Sequence, residues 1–365
     1  MKVSSVNPVF LSLNGAEIFA SSPRVPKRVR LHPKVADLLV SAREPVDLDS
    51  LTSGDQALQE AARQLIDLGF LTEATDSGTP EEVPSPWREW GNVAWQFHAS
   101  IRNAPFVRGN RDDIPEYYAR LAERGEKPLN SKPSRQDEDI VFLPRVWADM
   151  NASFKSVLEG RRTHRDFSDE PIKLDIFSSL LHYTFGPLRF VDAGALGVLQ
   201  LRASASGGAR HEAEAYLVVF NVLGVHPGVY RYDAIRHGLV PLGDAVAQED
   251  IERLIHHQTI ARNAAFCIFT TAVASRMSWK YPHPRAYKIL LHNVGHLSQV
   301  FAMTAQALGL GAALTGAFRD DAVEELCQLE QEDEFPTFFM ACGVPLRQAD
   351  GMPLRYNAPA RASQQ

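Results

Sequence analysis

The spacing of apolar residues predicts helices and short strands in the first part of the chain. Residues 58–68 carry apolar side chains at helical spacing, and Gly69 follows as a helix terminator. A second helical stretch covers residues 33–41, and two short strands flank the turn-forming pair Asn14 and Gly15. Another strand follows Gly69. Helix, turn, helix, glycine and strand in this order are typical of a winged-helix unit.

Continuous apolar runs alternate with helical patterns in the rest of the chain. Residues 213–222, 264–273 and 335–344 predict buried strands, and residues 228–242 predict a hairpin beside the first of them. Residues 286–308 predict a helix about 33 Å long, at a rise of about 1.5 Å per residue. The pattern therefore predicts an α+β fold with an antiparallel-rich sheet and a long central helix.

These patterns divide the chain into three predicted regions. Residues 1–85 form the winged-helix-like unit, residues 86–145 form a helical and linker region, and residues 146–365 form the sheet domain. The first boundary rests on a polar, proline-rich stretch at 74–86. Charges and helix breakers at 108–140 indicate loop or bridging structure.

Composition and charge narrow the function classes. The chain has 365 residues and a net charge of -6, which argues against broad nucleic-acid binding. No uncharged run approaches the roughly 20 residues of a membrane span, so we expect no membrane insertion. Cys267, Cys327 and Cys342 form neither a disulfide framework nor a C-x-x-C metal pattern. The start of the chain shows no signal-peptide pattern, and we expect a cytoplasmic protein.

A winged-helix unit can bind DNA, or it can bind a peptide by strand addition between helix and wing. The second helix carries Asp55, Glu60 and Asp67 against a single Arg63. An acidic helix fits DNA phosphates poorly. We therefore favour peptide binding or a structural role over DNA binding.

An arginine-rich segment precedes a helix that the apolar spacing predicts at residues 175–183. Arg161, Arg162 and Arg165 present three guanidiniums within five residues, and Thr163 adds a hydroxyl. A guanidinium donates in a planar fork that suits phosphate, so this segment is a candidate oxyanion site. A solvated basic run is the alternative.

A loop of small residues spans 202–211. Its paired Gly207 and Gly208 let the backbone approach a flat ligand, and Ser204 and Ser206 offer hydroxyls to ring heteroatoms. An ordinary surface loop is the alternative.

Lys280 and Tyr281 stand side by side after the strand predicted at 264–273. Burial can move the pKa values of such a pair toward neutrality, which suits a proton acceptor and a donor. A surface lysine beside a packed tyrosine is the alternative. Gly295, inside the long helix, marks a candidate close contact, because glycine costs a helix about 1 kcal/mol relative to alanine.

Taken in order, seven motifs resemble the SagB-type branch of the nitroreductase superfamily, over approximately residues 155–350. The motifs are Arg161 to Phe167, Ser206 to His211, Tyr216 to Val219, Pro227 to Tyr232, Lys280 and Tyr281 with Arg285 to Tyr287, Gly295 with His296, and Gly343 to Pro345. The order of all seven carries the resemblance, rather than any one of them.

The resemblance implies a nitroreductase fold and a homodimer that binds FMN at the subunit interface. The residues implied at the phosphate and ribityl chain are Arg161, Arg162, Thr163, Arg165 and Arg347. Those implied near the isoalloxazine are Ser204, Ser206, Gly207, Gly208, Leu314, Thr315 and Gly316. Lys280 and Tyr281 match the pair credited with catalysis in azoline oxidases.

The implied reaction oxidises a thiazoline or oxazoline ring to the azole in a ribosomally made peptide, with Lys280 or Tyr281 as the base. The implied partners are the modified precursor peptide and a cyclase. The chain departs from the family pattern at Ala205 and Glu212, where more proline-like residues are typical, and in the longer link at 282–284.

Two other functions stay open. One is a general FMN nitro or quinone reductase that uses NAD(P)H. The other is a flavin-free scaffold that binds a peptide for a partner cyclase.

Overall fold

The computed structural model describes residues 1–74, 83–102, 114–135, 138–194, 197–329, 332–349 and 352–354. The chain forms two compact units, Met1–Pro105 and Phe106–Gln365. Most of the linker predicted at 74–86 lies outside the described residues, at 75–82. Across the described ranges, no helix is both long enough and apolar enough to cross a membrane.

The first unit contains two small antiparallel sheets and several short helices. Its strands are β1 (Lys2–Ser5), β2 (Phe10–Asn14), β3 (Glu17–Ser22), β4 (Val25–Leu31), β5 (Val46–Asp47) and β6 (Leu71–Glu73). Its helices are α1 (Pro33–Ser41), α2 (Leu48–Thr52), α3 (Gln56–Asp67), α4 (Ser85–Trp90) and α5 (Asn92–Ser100). One sheet has the strand order β5-β1-β6, and the other has the order β2-β3-β4.

Local chemistry explains the bounds of α3. Asp55 caps the helix by accepting hydrogen bonds from the backbone N–H groups of Ala57 and Leu58, at 2.9 and 3.2 Å. Gly69 follows with a φ of 82°, which favours glycine, and β6 begins soon after it. The predicted hairpin, helices and strand are confirmed as elements, while the assignment of a winged helix stays a prediction.

The second unit combines a large sheet with longer helices. Its strands are β7 (Val141–Phe142), β8 (Arg189–Asp192), β9 (Val198–Leu201), β10 (Ala213–Val219), β11 (Gly228–Asp233), β12 (Gly238–Gly243), β13 (Phe266–Val273), β14 (Gly311–Thr315) and β15 (Glu334–Gly343). Its helices are α6 (Ile114–Ala122), α7 (Phe154–Gly160), α8 (Leu174–Phe185), α9 (Gln248–Leu254), α10 (Ala274–Lys280), α11 (Arg285–Ala307) and α12 (Asp320–Cys327).

A seven-stranded sheet in the order β14-β15-β13-β10-β11-β12-β7 forms the centre of this unit. All its neighbouring strands pair antiparallel. The β10–β13 pair runs from Ala213 opposite Ala272 to Val219 opposite Phe266. These strands are buried almost throughout, because apolar cores cover both faces of the sheet. β8 and β9 form a separate two-stranded hairpin.

The long helix α11 packs against α8, β14 and β15. Its buried face carries Leu290, Val294, Leu297 and Phe301, which recur at intervals of three or four residues. These side chains fill the larger of the two cores. The helix therefore lies along one face of the sheet and reaches the elements that carry the candidate motifs.

The α+β class, the antiparallel sheet and the long central helix are confirmed. Residues 274–280 differ from the prediction, since they form α10 between the buried strand and α11. Helix α6 occupies part of the stretch at 108–140, for which loop or bridging structure was predicted. No atom of the described residues lies within 4 Å of the place where Gly295 would carry a β-carbon. The close contact predicted there is therefore not formed within the described chain.

Candidate active site

Helix α7 ends where the arginine-rich segment begins. The backbone N–H of Arg161 donates to the Val157 carbonyl at 2.9 Å. The Arg162 guanidinium donates to the Glu159 carbonyl at 2.8 Å and so satisfies a free carbonyl of the helix end. Arg161 and Arg162 are half-buried, whereas Arg165 is exposed.

The chain beyond β15 runs beside this segment. The Ser168 backbone N–H donates to the Val344 carbonyl at 2.9 Å, and the Leu346 N–H donates to the Asp166 carbonyl at 3.0 Å. Arg347 follows directly after this pairing. Two segments that lie far apart in sequence thus come together, and their arginines form one cluster, which we call the arginine cluster: Arg161, Arg162 and Arg347.

His164 lies buried within the arginine cluster. Its backbone N–H donates to the Ala312 carbonyl at 3.0 Å, and the residue is 1% exposed. Burial, followed by the charges of Arg347, Arg161 and Arg162, lowers the pKa of His164 to about 4. Neither ring nitrogen has a hydrogen-bond partner among the described residues. The imidazole is therefore neutral at pH 7, and the guanidiniums carry the positive charge of the cluster.

Strand β14 continues from the arginine cluster to the next predicted residues. Thr163 pairs with Ala312 of β14 in a parallel bridge. Leu314 and Thr315 end the strand, and Gly316 is exposed just beyond it. At about 3.3 Å per residue, Leu314 to Gly316 lie about 7–13 Å further along the strand.

A second cluster forms where the glycine-rich loop meets the end of α10. Gly208 has a φ of 65°, and a β-carbon there would lie 2.6 Å from Tyr281 Oη and 2.8 Å from Lys280 Nζ. Lys280 is the last residue of α10, and its Nζ lies 5.8 Å from the centre of the Tyr281 ring. Only glycine leaves room for both side chains to approach the backbone here. We call Lys280, Tyr281 and Gly208 the Lys–Tyr cluster.

Burial and neighbouring charges shift both titratable groups of the Lys–Tyr cluster. Burial, followed by the nearby Arg210 and Lys127, lowers the pKa of Lys280. Burial raises the pKa of Tyr281, although Arg210 opposes that shift. Relative to an exposed pair, both shifts favour the uncharged forms, which are the neutral amine and the protonated phenol. Such a pair can accept a proton at Lys280 and donate a hydrogen bond from Tyr281.

Arg210 holds the second cluster together, although its role was not predicted. Its Nε donates to the Arg276 carbonyl at 3.0 Å, and its guanidinium donates to the Pro128 carbonyl at 2.8 Å. The same guanidinium lies 5.2 Å from the centre of the Trp279 ring. Because Arg276 and Trp279 belong to α10, Arg210 fixes that helix against the loop. The motif from Ser206 to His211 was the only sequence signal, since these partners lie 66 and 82 residues away.

Ser204 and Ser206 line a small cavity behind the loop, together with Arg202 and His211. The cavity measures about 10 Å³, which is room for about one water molecule. The Ser206 hydroxyl accepts a hydrogen bond from the His211 backbone N–H at 2.9 Å. The two serines thus face a water-sized space, and their contact with a flavin ring stays a prediction.

Helix α11 spans the distance between the two clusters. Near its end, Gln306 Nε2 lies 2.9 Å from the place where Gly160 would carry a β-carbon, next to the arginine-rich segment. Nearer its start, Asn293 Oδ1 accepts a hydrogen bond from the Gly207 N–H at 3.1 Å. A rise of about 1.5 Å per residue places these two helix positions about 20 Å apart. The arginine cluster and the Lys–Tyr cluster therefore lie at different levels of α11.

The arginine cluster fits the phosphate of FMN. Its guanidiniums and the nearby Thr163 hydroxyl are the donors that a phosphate dianion needs, and the buried His164 adds a ring with unpartnered nitrogens in the described part of the chain. Within the same described part, no group of histidine, cysteine and carboxylate side chains could hold a metal ion. The side chains of the arginine cluster suit anion binding, and those of the Lys–Tyr cluster suit proton transfer.

Two proteins of Rhizobium leguminosarum bv. trifolii are similar to this chain. Trifolitoxin operon protein TfxC is 23% identical over 349 residues, which cover 91% of this chain and 92% of TfxC. Trifolitoxin-processing protein TfxB is 25% identical over 254 residues, which cover 65% of this chain and 66% of TfxB.

The fold is also found among solved structures. A candidate nitroreductase from Anabaena variabilis aligns with a TM-score of 0.50 at 22% identity, over 67% of this chain and 49% of that one. The chain thus spans about half the length of that structure. The Nitroreductase family model matches residues 158–344, just over half of the chain. The predicted nitroreductase fold is confirmed, and the chain belongs to the nitroreductase family of oxidoreductases.

Proposed function

We propose that this protein is an FMN-dependent dehydrogenase that oxidises azoline rings to azoles in a ribosomally made peptide. Family membership supports an oxidoreductase, and the seven ordered motifs support the SagB-type branch. TfxB is named for trifolitoxin processing and TfxC for the trifolitoxin operon, which supports a peptide as the substrate.

The approach of Lys280 and Tyr281 to Gly208 carries the proposal. Azoline oxidation requires a base that removes a proton from a ring carbon. A lysine with a lowered pKa can be that base, and Tyr281 can orient the substrate ring by donating a hydrogen bond. FMN, when bound, supplies the acceptor for the two electrons. The chain's own task is to place the substrate and manage its protons.

The arginine cluster would hold the FMN phosphate, together with Thr163 and Arg165. Charge-assisted hydrogen bonds from several guanidiniums give both affinity and orientation. The two positions at which α11 contacts the neighbourhoods of these clusters lie about 20 Å apart along the helix, and this separation supports a homodimer. In that arrangement, the arginine cluster of one protomer and the Lys–Tyr cluster of its partner complete one active site.

The first unit would hold the precursor peptide or a cyclase partner. Its two sheets end in the edge strands β5, β6, β2 and β4, and an edge strand can pair with a peptide by strand addition. All three cysteines are free and buried, namely Cys267, Cys327 and Cys342. Free thiols agree with a protein that acts in a reducing compartment such as the cytoplasm.

The absorption spectrum of the purified protein tests the cofactor. We expect flavin bands in the visible range, and we expect FMN in the supernatant after heat denaturation. Protein that stays colourless after FMN is added would overturn the proposal and favour the flavin-free scaffold.

A Lys280→Ala variant tests the base. We expect it to retain FMN and to lose at least about 100-fold in turnover of an azoline peptide, because general bases contribute at that scale. Lys173→Ala, at an exposed lysine before α8, is the matched control and should turn over at the normal rate. Full turnover by the Lys280 variant would remove that residue from the mechanism.

Family membership also favours a second candidate, a general FMN reductase that uses NAD(P)H. The two functions differ in what reduces the flavin. Under anaerobic conditions, an azoline peptide should bleach the flavin bands if the protein is a dehydrogenase. Rapid bleaching by NAD(P)H, with none by the peptide, would establish the reductase instead.

A further inference from the structure

Glu212 is a fully buried carboxyl beside the glycine-rich loop. It stands where the SagB-type pattern has a more proline-like residue. The residue is 0% exposed, and one carboxyl oxygen accepts a hydrogen bond from Ser206 Oγ at 3.2 Å. The other accepts from Asn293 Nδ2 at 2.8 Å. Burial of a carboxyl is unfavourable, and it raises the pKa of Glu212.

Asn293 connects this carboxyl to the backbone of the loop. It lies on α11 and is 7% exposed. Its Oδ1 accepts the Gly207 N–H at 3.1 Å while its Nδ2 donates to Glu212. A β-carbon on Gly207 would lie 2.9 Å from Ile289 Cγ2, so the loop is also pressed closely onto the helix. One amide side chain therefore joins the carboxyl, the loop and α11.

The loop needs such a connection because of its own sequence. Successive glycines have more backbone freedom than any other residues, and ordering them is unfavourable. Gly208 is the residue that Lys280 and Tyr281 approach. An apolar side chain at 212 would fill the space without the desolvation of a carboxyl, so packing alone does not account for a glutamate there.

We propose that Glu212 and Asn293 are positioning residues that hold the Gly207–Gly208 turn in place beneath Lys280 and Tyr281. They act through the loop and do not touch the reacting atoms. This inference deepens the proposed function and rests on it for the roles of Lys280 and Tyr281. The hydrogen-bond pattern is directional, because Asn293 must accept on the loop side and donate on the carboxyl side.

That direction can be reversed by a pair of substitutions. Asn293→Asp keeps the acceptor for Gly207 but places a second acceptor against the Glu212 carboxyl. Glu212→Gln supplies a donor again, so the double variant restores every contact with the Glu–Asn direction inverted. Glu212→Gln alone also keeps both contacts, since its Nε2 can donate to Ser206 Oγ.

Backbone hydrogen exchange at 207–209, in protein free of flavin, is the first measurement. Exchange should be at least about fivefold faster in Asn293→Asp and should return to within about twofold of the wild-type rate in the double variant. The affinity for FMN should follow the same order. Exchange in Asn293→Asp that stays unchanged up to about pH 9, where the two facing carboxyls no longer share a proton, would overturn the proposed roles of Glu212 and Asn293. No recovery in the double variant would overturn them as well. Because exchange needs no flavin, it separates failure of these roles from failure of the proposed function.

Discussion

The Nζ of Lys280 lies 2.8 Å from the place where Gly208 would carry a β-carbon. This distance is shorter than any real contact of a β-carbon, so the lysine occupies space that exists only because residue 208 is glycine. The Lys280 side chain and the backbone of the glycine-rich loop therefore lie in direct contact. A change on either side moves the other.

Gly208→Ala should displace Lys280 and Tyr281 and place alanine at a φ of 65°. We expect the backbone strain to lower the free energy of unfolding by about 1–2 kcal/mol. We also expect azoline turnover to fall by more than this loss of stability explains, because Lys280 and Tyr281 are displaced. Gly309→Ala is the control, because Gly309 has a φ of 79° and no atom of the described chain lies within 4 Å of its β-carbon position. Thermal unfolding and turnover are measured for both. Equal loss of turnover in the two variants would show that strain alone is responsible.

Turnover should rise with pH through the lowered pKa of Lys280, because only the neutral amine accepts a proton. Lys127→Gln removes one of the cations that lower this pKa. The pKa then rises, and the limb of the kcat/KM profile moves to higher pH. Lys127→Arg keeps the charge and should keep the profile. A limb that stays in place in the glutamine variant would mean that Lys280 does not titrate in that limb.

Arg347→Gln should weaken FMN binding by about 10-fold to 100-fold, which corresponds to one charge-assisted hydrogen bond. Riboflavin lacks the phosphate, so its affinity should barely change in the same variant. Arg189→Gln, at an exposed arginine of β8, is the control. Quenching of flavin fluorescence reports both affinities. An equal loss for FMN and riboflavin would place Arg347 away from the phosphate.

His164 should make the protein less stable as the pH falls from about 6.5 toward 4. Its pKa is about 4 in the folded chain and 6.5 in an exposed histidine, so the unfolded chain takes up the proton first. The contribution of neutral His164 to the free energy of unfolding is fully present above pH 6.5. About 2 kcal/mol of that contribution is lost at pH 5.

His164→Leu should remove this part of the pH dependence. His211 and His237, whose pKa values burial also lowers, remain in both proteins. Urea unfolding at pH 7 and pH 5 gives the comparison, and the variant should lose about 2 kcal/mol less than the wild type. The same loss in both proteins would contradict the assignment.

Local pattern predicted those parts of the fold that local chemistry determines. The apolar spacing around Leu290 and Phe301 indicated the long helix, and the apolar runs indicated β10, β13 and β15. β14 was not predicted, because it has only five residues and its pairing with β15 is what defines it as a strand. Helix α10 was not predicted because it is a short helix between a buried strand and a long helix.

The candidate site was predicted only in part for a related reason. The arginines at 161–165 and the Lys–Tyr pair are visible as local motifs. The hydrogen bond between Asn293 and Glu212 joins residues 81 positions apart, and Arg210 reaches Pro128 over 82 positions. No periodicity within a short window contains such pairs. Three-dimensional contact was needed to find them.

Helix α11 touches the loop at Asn293 and the end of α7 at Gln306. One inserted residue between these positions would rotate one end against the other by about 100° and shift it by about 1.5 Å. Either contact could then survive, but not both. Side chains along this stretch can therefore change one at a time, whereas an insertion or deletion within it would break one of the two contacts.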